Sequence, residues 1–282
     1  MAKRSQLLAA AHLSVDGALF LKRLLGIESL PAVLALLDNV YYAADQAVVD
    51  DQTVPVLVGS GLLSIDGAVE PSLLRWLRVL ERPDIDVSLR AVDGERMRRA
   101  VLARSGEDNV LALRRNDEVV IQGVWSHGQS VDDVLCAPLW AAMRVSQEEL
   151  APPPADMESV TLPWAEVKEL AAGEPGKNLR WLRDHGVDAA SAKILNDMST
   201  YSGQRAELVI RQDRGITSFQ APAGVGVADT AAGRVVSAVR RQGSQFYVTF
   251  GPGTYARFRA AMADLVELTP AKNWFAATSR SN

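Results

Sequence analysis

Three glycine-containing segments have residue types that bind phosphates, and each lacks part of the motif. Gly173–Asn178 contains a Gly-Lys pair, but a phosphate loop needs one more residue before that pair and a hydroxyl after the lysine. Gly224–Asp229 has two of the three glycines of a dinucleotide loop, and no helix follows it. Gly251–Thr254 leads into a helix whose amides could bind an anion, although Thr254 can cap them itself. These segments therefore predict turns and crowded strands.

The side chains that most often catalyse reactions are scattered along the chain. His12, His127 and His185 are far apart and have no metal-binding spacing. Ser126 precedes His127, but a neighbouring pair is not a triad, and no Gly-x-Ser-x-Gly elbow is present. The single cysteine, Cys136, lies in an apolar helical segment and is expected to be a small buried hydrophobe. No catalytic constellation emerges from these side chains, and we expect no catalytic residue, no cofactor and no metal.

Composition restricts the classes of protein further. The 282 residues are 48% hydrophobic and 23% charged, with a net charge of −4, a balance typical of a globular protein with a large core. There is no excess of positive charge to attract nucleic acid. No apolar run approaches the roughly 18 residues of a membrane span, so membrane insertion is not expected. One cysteine excludes an internal disulfide and favours a reduced, cytoplasmic location.

The first half of the chain has the pattern of a helix, four strands and a second helix. Pro71–Arg82 has leucines at helical spacing and ends before a proline. Ser130 and Asp133 form a capping box that begins a second helix, Val131–Val145, which Pro138 is expected to bend. Four strand-like runs lie between the two helices: Ile85–Val92, Arg98–Arg104, Val110–Arg114 and Val119–Val124.

The second half repeats this order. A helix near Asp188–Met198 precedes four strand-like runs, and a closing helix covers Tyr255–Leu268. Strands joined by such short turns pair antiparallel. The four runs are Ala206–Arg211, Gly224–Ala228, Val235–Arg240 and Phe246–Phe250. The predicted fold is therefore α+β: two pseudo-two-fold related halves, each a helix, a four-stranded antiparallel meander and a helix, which form a central sheet, plus a small helical bundle in the second half.

Three consecutive prolines divide the chain almost in the middle. They lie in a segment without a periodic apolar face, which predicts a stiff connection. The predicted organisation is an N-terminal α+β half at 1–147, a proline-rich linker at 148–160, and a helical bundle with the second α+β half at 161–282. We expect the two halves to form one compact unit.

Several segments, taken in their order along the chain, resemble one known family. Near the N-terminus these are Leu13–Gly17 and Gly61–Gly67, and towards the C-terminus they are Ala206–Ile210, Val225–Arg234 and Thr249–Thr254. Together they are similar to the EspG family, the chaperones of mycobacterial type VII (ESX) secretion. The resemblance extends over almost the whole chain, and the internal duplication agrees with it.

The resemblance implies a cytosolic chaperone rather than an enzyme. EspG proteins bind the tip of the PPE subunit in PE–PPE heterodimers, keep these dimers soluble and present them to components of the ESX apparatus. Their binding face implies roles here for the meander Ile85–Val124 and the bundle Trp164–Met198. Some members have a long loop between the second and third strands, whereas the turn at Asp93–Glu95 is tight.

An exposed sheet face beside short amphipathic helices can accept the end of a helical hairpin. Anchors at such a surface are aromatic or long side chains, although each of these residues could equally belong to the core. The predicted partner-binding residues are Arg115, Val119, Ile121, Leu179, Trp181 and Leu182.

Two other functions remain open from the sequence. A small-molecule-binding protein or enzyme could use the cleft between the two halves, with polar groups around His127 or Gly251–Thr254. An assembly protein could instead use the duplicated sheets for self-association. Whether the free protein forms a weak homodimer is also left open.

Overall fold

One antiparallel sheet runs through the whole molecule. The computed structural model describes residues 8–276 except 39, 41, 145–151, 199–202, 214 and 216. The strands are β1 (Ala11–Ser14), β2 (Ile85–Asp93), β3 (Arg96–Ser105), β4 (Asp108–Arg115), β5 (Glu118–Val124), β6 (Val160–Pro163), β7 (Arg205–Asp213), β8 (Ser218–Gln220), β9 (Val225–Thr230), β10 (Gly233–Gln242) and β11 (Gln245–Pro252). Their order in the sheet is β1-β5-β4-β3-β2-β7-β9-β10-β11-β6, and the short strand β8 pairs with β7 beside this order.

Helices lie on both faces of this sheet. They are α1 (Val15–Leu24), α2 (Ala43–Gly59), α3 (Pro71–Glu81), α4 (Ala137–Ala142), α5 (Trp164–Ala172), α6 (Pro175–Asp184), α7 (Ala189–Asp197) and α8 (Tyr255–Glu267), with a 3-10 turn at Ala32–Leu34 and a π-helical turn at Asp132–Cys136. The α+β class and the large antiparallel sheet are as predicted. No helix among the described residues is long and apolar enough to cross a membrane.

The pairing of β2 with β7 determines which side chains share a face. Leu89 lies opposite Leu208, and both pack in one core cluster with Phe258 of α8. We call this side the α8 face and the opposite side the open face. On the open face, α1 and α3 cover the N-terminal strands in a second cluster that includes Leu77 and Ala112. Helices α5 to α7 cover the other end of the sheet.

The predicted helix at Pro71–Arg82 is confirmed and ends at Glu81. The Glu70 carboxylate accepts a hydrogen bond from the Leu73 amide at 2.7 Å, which caps the first turn. Pro71 fits at the first helical position because its missing amide would have no partner there. The buried leucines repeat at helical spacing and face the sheet.

The predicted helix at Val131–Val145 is only partly right. Its capping box is confirmed, because the Asp133 amide donates to Ser130 Oγ and the Ser130 amide donates to Asp133 Oδ2, both at 3.3 Å. The first turn is π-helical, and α4 begins at Ala137. Pro138 explains the irregular turn, since it has no amide to continue a regular helix. Val145 lies outside the described residues.

Three short strands escaped the sequence analysis: β1, β6 and β8. None is longer than four residues, which is too short for a period of two to be distinguished from a loop. The turn between β2 and β3 is tight as predicted, with Gly94 in the left-handed region at φ 57°. The described part of the predicted linker lies against β10, where the Arg234 amide donates to the Pro153 carbonyl at 2.8 Å.

The C-terminal segment returns from α8 across the sheet to the N-terminal strands. The Ala271 amide donates to Gln212 Oε1 at 3.0 Å, and Arg104 donates to the Ala276 carbonyl at 2.5 Å. Between these contacts the fully buried Trp274 indole donates to Asn109 Oδ1 at 3.0 Å. This segment therefore stabilises the contact between the second half and the first.

Trp274→Ala should lower the free energy of unfolding by about 3–5 kcal/mol, since it leaves a cavity. It also removes the donor to Asn109. Urea unfolding followed by circular dichroism measures the change. Phe275→Ala is the matched control, because Phe275 is 36% exposed and should lose less than about 1 kcal/mol. Equal losses from the two variants would contradict the role given to the C-terminal segment.

Candidate functional site

The open face of the two central strands is accessible between the helices of the two halves. Strand β7 alternates between buried residues on the α8 face and residues that are exposed or half-buried on the open face. On β2 the same side carries one exposed arginine and two half-buried residues. We call this surface the trough, formed by Ser88, Arg90, Val92, Arg205, Glu207, Val209 and Arg211.

The 3-10 turn at Ala32–Leu34 lies on the side of the trough that is next to β3 and β4 of the first half. Arg114 Nη1 donates to the Leu34 carbonyl at 2.9 Å, and Arg99 Nη1 donates to the Val33 carbonyl at 3.4 Å. These hydrogen bonds satisfy carbonyls at the end of the turn. They hold the loop against β3 and β4, so this side of the trough has a defined position.

An apolar cavity of about 280 Å³ lies at the other side, between helices α5 to α7 and the sheet. Arg205 of the trough contributes to its lining and donates through Nη2 to the Met198 carbonyl at 2.7 Å. The cavity therefore adjoins the trough. Its lining residues are Leu162, Val167, Leu170, Ala171, Asn178, Leu182, Leu195, Asn196, Met198, Arg205 and Phe250.

The glycine segments have structural roles, as the sequence analysis predicted. Asn178 Nδ2 donates to the Leu170 carbonyl at 2.7 Å, and a Cβ at Gly173 would lie 2.6 Å from Asn178 Oδ1. This segment joins α5 to α6 closely. On the sheet, a Cβ at Gly226 would lie 2.5 Å from Ser237 Oγ. A side chain at either position would displace Asn178 or Ser237.

The trough carries two ion pairs between its central strands. Arg90 Nη2 lies 3.6 Å from Glu207 Oε2, and Arg211 Nε donates to Asp86 Oδ2 at 2.9 Å. Asp86 is buried, and this burial raises its pKa, while the Arg211 guanidinium lowers it. The floor of the trough is thus polar and charged, in contrast to the apolar cavity beside it.

The groups considered for catalysis do not come together. Burial raises the pKa of the Cys136 thiol to about 12, helped by the neighbouring Asp132 carboxylate. His127 is exposed in the loop after β5, and Thr254 Oγ1 caps α8 by accepting from the Arg257 amide at 3.1 Å. Within the described residues, no cluster of three or more His, Cys, Asp and Glu side chains could hold a metal ion.

Three of the six predicted partner-binding residues are buried in the core. Val119 and Ile121 are 0% and 2% exposed, and they lie beneath the helices of the first half. Leu182 is 2% exposed and packs with Ala192 and Ile194 in the helical bundle. The structure corrects the expectation of exposed anchors at these positions. The physical reason is that a helix covers the apolar side of each element.

The other three residues do not form one surface. Leu179 and Trp181 are half-buried in the bundle, where Trp181 stacks on His185 with ring centroids 3.8 Å apart. Arg115 is exposed and pairs with Arg98, which pairs with Ala91 of the α8 face. It therefore lies on the side of the sheet opposite the trough. Partner contacts by Arg115, Leu179 and Trp181 remain predictions.

Sequence reasoning missed the trough and most of the cavity lining. The signal was present in β7, where Arg205, Glu207 and Arg211 alternate with the apolar residues Ala206, Leu208 and Ile210. Such alternation indicates a strand with one solvated face. The helical spacing of the apolar residues in the bundle is a stronger sequence pattern than this alternation, and it favoured the bundle instead.

Comparison with known proteins points to one family. Residues 14–264 match a family model described as the EspG family. The ESX-1 secretion-associated protein EspG1 of Mycobacterium tuberculosis (strain ATCC 25618 / H37Rv) is 29% identical over 273 residues, which cover 95% of this chain and 90% of that protein. The ESX-3 secretion-associated protein EspG3 of M. tuberculosis (strain CDC 1551 / Oshkosh) is 28% identical, with coverages of 94% and 93%.

A solved structure shares the fold. It is the M. tuberculosis type VII secretion system chaperone EspG5 in complex with a PE25-PPE41 dimer. The TM-score is 0.74 at 19% sequence identity, and the match covers 95% of this chain and 99% of that chain. The eleven-stranded arrangement described above is therefore similar to a known architecture.

Cys136 should resist alkylation by iodoacetamide in the native protein at mildly alkaline pH. Its pKa of about 12 leaves almost no reactive thiolate, and the side chain is buried. Mass spectrometry after timed labelling measures the reaction, and the same protein in guanidinium chloride provides the fully reactive control. Native labelling at the rate of the unfolded chain would contradict a structural role for this cysteine.

Proposed function

Since the chain belongs to the EspG family, we propose that it is a chaperone of type VII (ESX) secretion. It binds the PPE tip of PE–PPE heterodimers, keeps them soluble in the cytoplasm and targets them to the ESX apparatus. The observation that supports this most directly is the shared fold with EspG5, a chaperone whose structure holds a PE25-PPE41 dimer. The proposed role is to bind a protein partner, and it requires no catalytic step.

The dimensions of the trough favour a helical partner. Strand β9 lies next to β7 and extends the floor beyond the trough residues of β2 and β7. The spacing between neighbouring strands is about 4.8 Å. The floor is therefore about 10 Å across, close to the roughly 10–12 Å diameter of an α-helix. The helices of both halves rise beside this floor, so the end of a helical hairpin fits between them.

The apolar cavity gives this partner a place for one hydrophobic side chain. Eight of its eleven lining residues are apolar, and five of these eight belong to α5, α6 and α7. Burying a leucine or phenylalanine from the partner there contributes about 1.5–3 kcal/mol. A central apolar anchor surrounded by polar contacts is the usual arrangement of a specific protein interface.

The six residues predicted from sequence have different roles in this proposal. Leu179 and Trp181 are half-buried on the bundle beside the cavity, so they are candidate contacts for the partner. Arg115 is a candidate contact outside the trough. Val119 and Ile121 act indirectly, because they hold the covering helices in place. Leu182 lines the cavity and would contact the apolar side chain that enters it.

We also infer that the two halves are related by a pseudo-two-fold axis between β2 and β7. From the outer edge inwards, the first half has the order β1-β5-β4-β3-β2 and the second has β6-β11-β10-β9-β7. Each edge strand leads directly into a helix. The segments 1–147 and 161–282, joined by the linker 148–160, form one binding unit in this proposal.

Co-expression with the PE–PPE pair encoded nearest its own gene should yield a stable complex of one copy of each chain. Size-exclusion chromatography with mass detection measures the stoichiometry. The chaperone alone and the PE–PPE pair alone are the reference samples. Failure of the chaperone to co-elute with this pair or any other available pair would refute the proposed function.

Ala171→Trp should weaken PE–PPE binding by at least about tenfold, the equivalent of about 1.4 kcal/mol. Ala171 is exposed and lines the cavity, so an indole there obstructs it without changing the core. Ala172→Trp is the matched control, since Ala172 is exposed on the same helix outside that lining. Equal affinities for the two variants, measured by calorimetry, would exclude the cavity as the anchor site.

A further inference from the structure

Three arginines lie in one cross-strand row on the open face. Arg114 of β4 pairs with Arg99 of β3, which pairs with Arg90 of β2. The row continues to Glu207 of β7. Side chains at directly paired positions lie on the same face of a sheet. With strands about 4.8 Å apart, the three arginine backbones lie within about 10 Å of one another.

This row has an excess of positive charge. Arg99 and Arg114 donate to the backbone carbonyls of Val33 and Leu34, which satisfy N–H groups and carry no net charge. Among the ion pairs of the described residues, Glu207 is the one carboxylate within 4 Å of these guanidiniums, at 3.6 Å from Arg90. One carboxylate therefore faces three guanidinium groups.

The crowding of like charge affects the middle arginine. Burial lowers the pKa of the Arg99 guanidinium, and the positive charges of Arg114 and Arg90 lower it further. An added negative charge near this row would relieve the repulsion.

Arg90 is the member of the row that a partner can reach. Its side chain is 56% exposed, and that of Glu207 is 61% exposed. An ion pair so exposed, with its charged atoms 3.6 Å apart, is weak and exchanges readily. Arg90 can therefore leave Glu207 and pair with a carboxylate on a bound protein.

We propose that the arginine row binds an aspartate or glutamate side chain at the tip of the PPE subunit. This inference rests on the proposed function and adds the chemistry that the partner must present. The chain would thus prefer partners with an acidic tip over partners whose tip is neutral or basic at the same position.

The position of the row predicts where this acidic residue lies in the partner. Arg205 lines the cavity and pairs with Val92, so it is the diagonal neighbour of Arg90. Diagonal neighbours lie about 7–8 Å apart. The acidic residue should therefore lie within about two helical turns, roughly 11 Å, of the apolar side chain that enters the cavity.

The test is titration calorimetry with the PE–PPE dimer that forms the complex. Arg90→Gln should weaken binding about tenfold and Arg90→Glu about a hundredfold. Both variants should also show a weaker dependence of affinity on salt concentration than the wild type, because one interfacial charge pair is lost. Arg90→Glu should regain affinity with a partner whose acidic tip residue is replaced by arginine.

Glu207→Gln tests the same idea in the opposite direction. It removes the carboxylate that competes with the partner for Arg90, so binding should tighten about threefold. A residue with a purely structural role would not increase affinity when it is replaced. This variant therefore tests the proposal even if the Arg90 variants unfold.

Arg240→Glu is the matched control. Arg240 is also a strand arginine in an exposed ion pair, 63% exposed and bonded to Asp264 Oδ2 at 2.6 Å, but it lies on the α8 face. It should bind like the wild type. An equal loss in Arg240→Glu and Arg90→Glu would mean that only overall charge matters, which overturns the inference.

Arg90 variants that bind within about twofold of the wild type, with an unchanged salt dependence, would also overturn the inference. The proposed function would survive that result, because the complex still forms. Absence of any complex with the wild-type chain would refute the proposed function and the inference together. Melting temperatures of all variants verify that the fold is intact.

Discussion

The pairing between β2 and β7 is the interaction on which the rest of the structure depends. It joins residues more than 100 positions apart in an unbroken register from Ile85 opposite Gln212 to Val92 opposite Arg205. A shift by one residue would exchange the two faces of a strand, placing Leu208 in solvent and Glu207 under α8. The two core clusters on either side of the sheet, the trough and the arginine row all require this one register. The C-terminal segment adds a second link between the halves, since it carries Trp274 to Asn109 of β4.

The accessible face follows from how the two halves are covered. Helices α1 and α3 pack on the strands of the first half, and α5 to α7 pack on the outer strands of the second. Neither group of helices extends over β2 and β7, the strands at which the two halves meet. These two strands therefore keep one solvated face. Helix α8 and the π-helical turn cover the other face continuously. A sheet formed from two such units therefore has a groove along its junction, which is where binding surfaces between structural units commonly occur.

Much of this architecture could be predicted from the sequence, because β2 to β5, α3, α7 and α8 have strong local periodicity. The short edge strands β1 and β6 could not, since four residues carry too little pattern. The candidate site was harder to predict. Val119 and Ile121 are two residues apart and lie on one face of β5, but this spacing identifies an apolar face without showing whether a helix covers it. For the same reason, Leu182 and Leu179 look alike in the sequence, whereas only Leu182 is fully buried.

A polar trough beside a small apolar cavity suits a protein that must remain dispersed until its partner arrives. A large exposed apolar surface would promote self-association. Here the central floor carries the pairs Arg90–Glu207 and Arg211–Asp86, which stay hydrated on their exposed side when no partner is bound. In the proposed complex, the apolar contribution to affinity would be confined to the cavity beneath α5 to α7. Such a cavity discriminates poorly between similar aliphatic side chains. Charged residues across an interface, by contrast, weaken the binding of partners with the wrong charge and accelerate association with the right one. Affinity and selectivity would then reside in different parts of one surface, which can change independently between related chaperones.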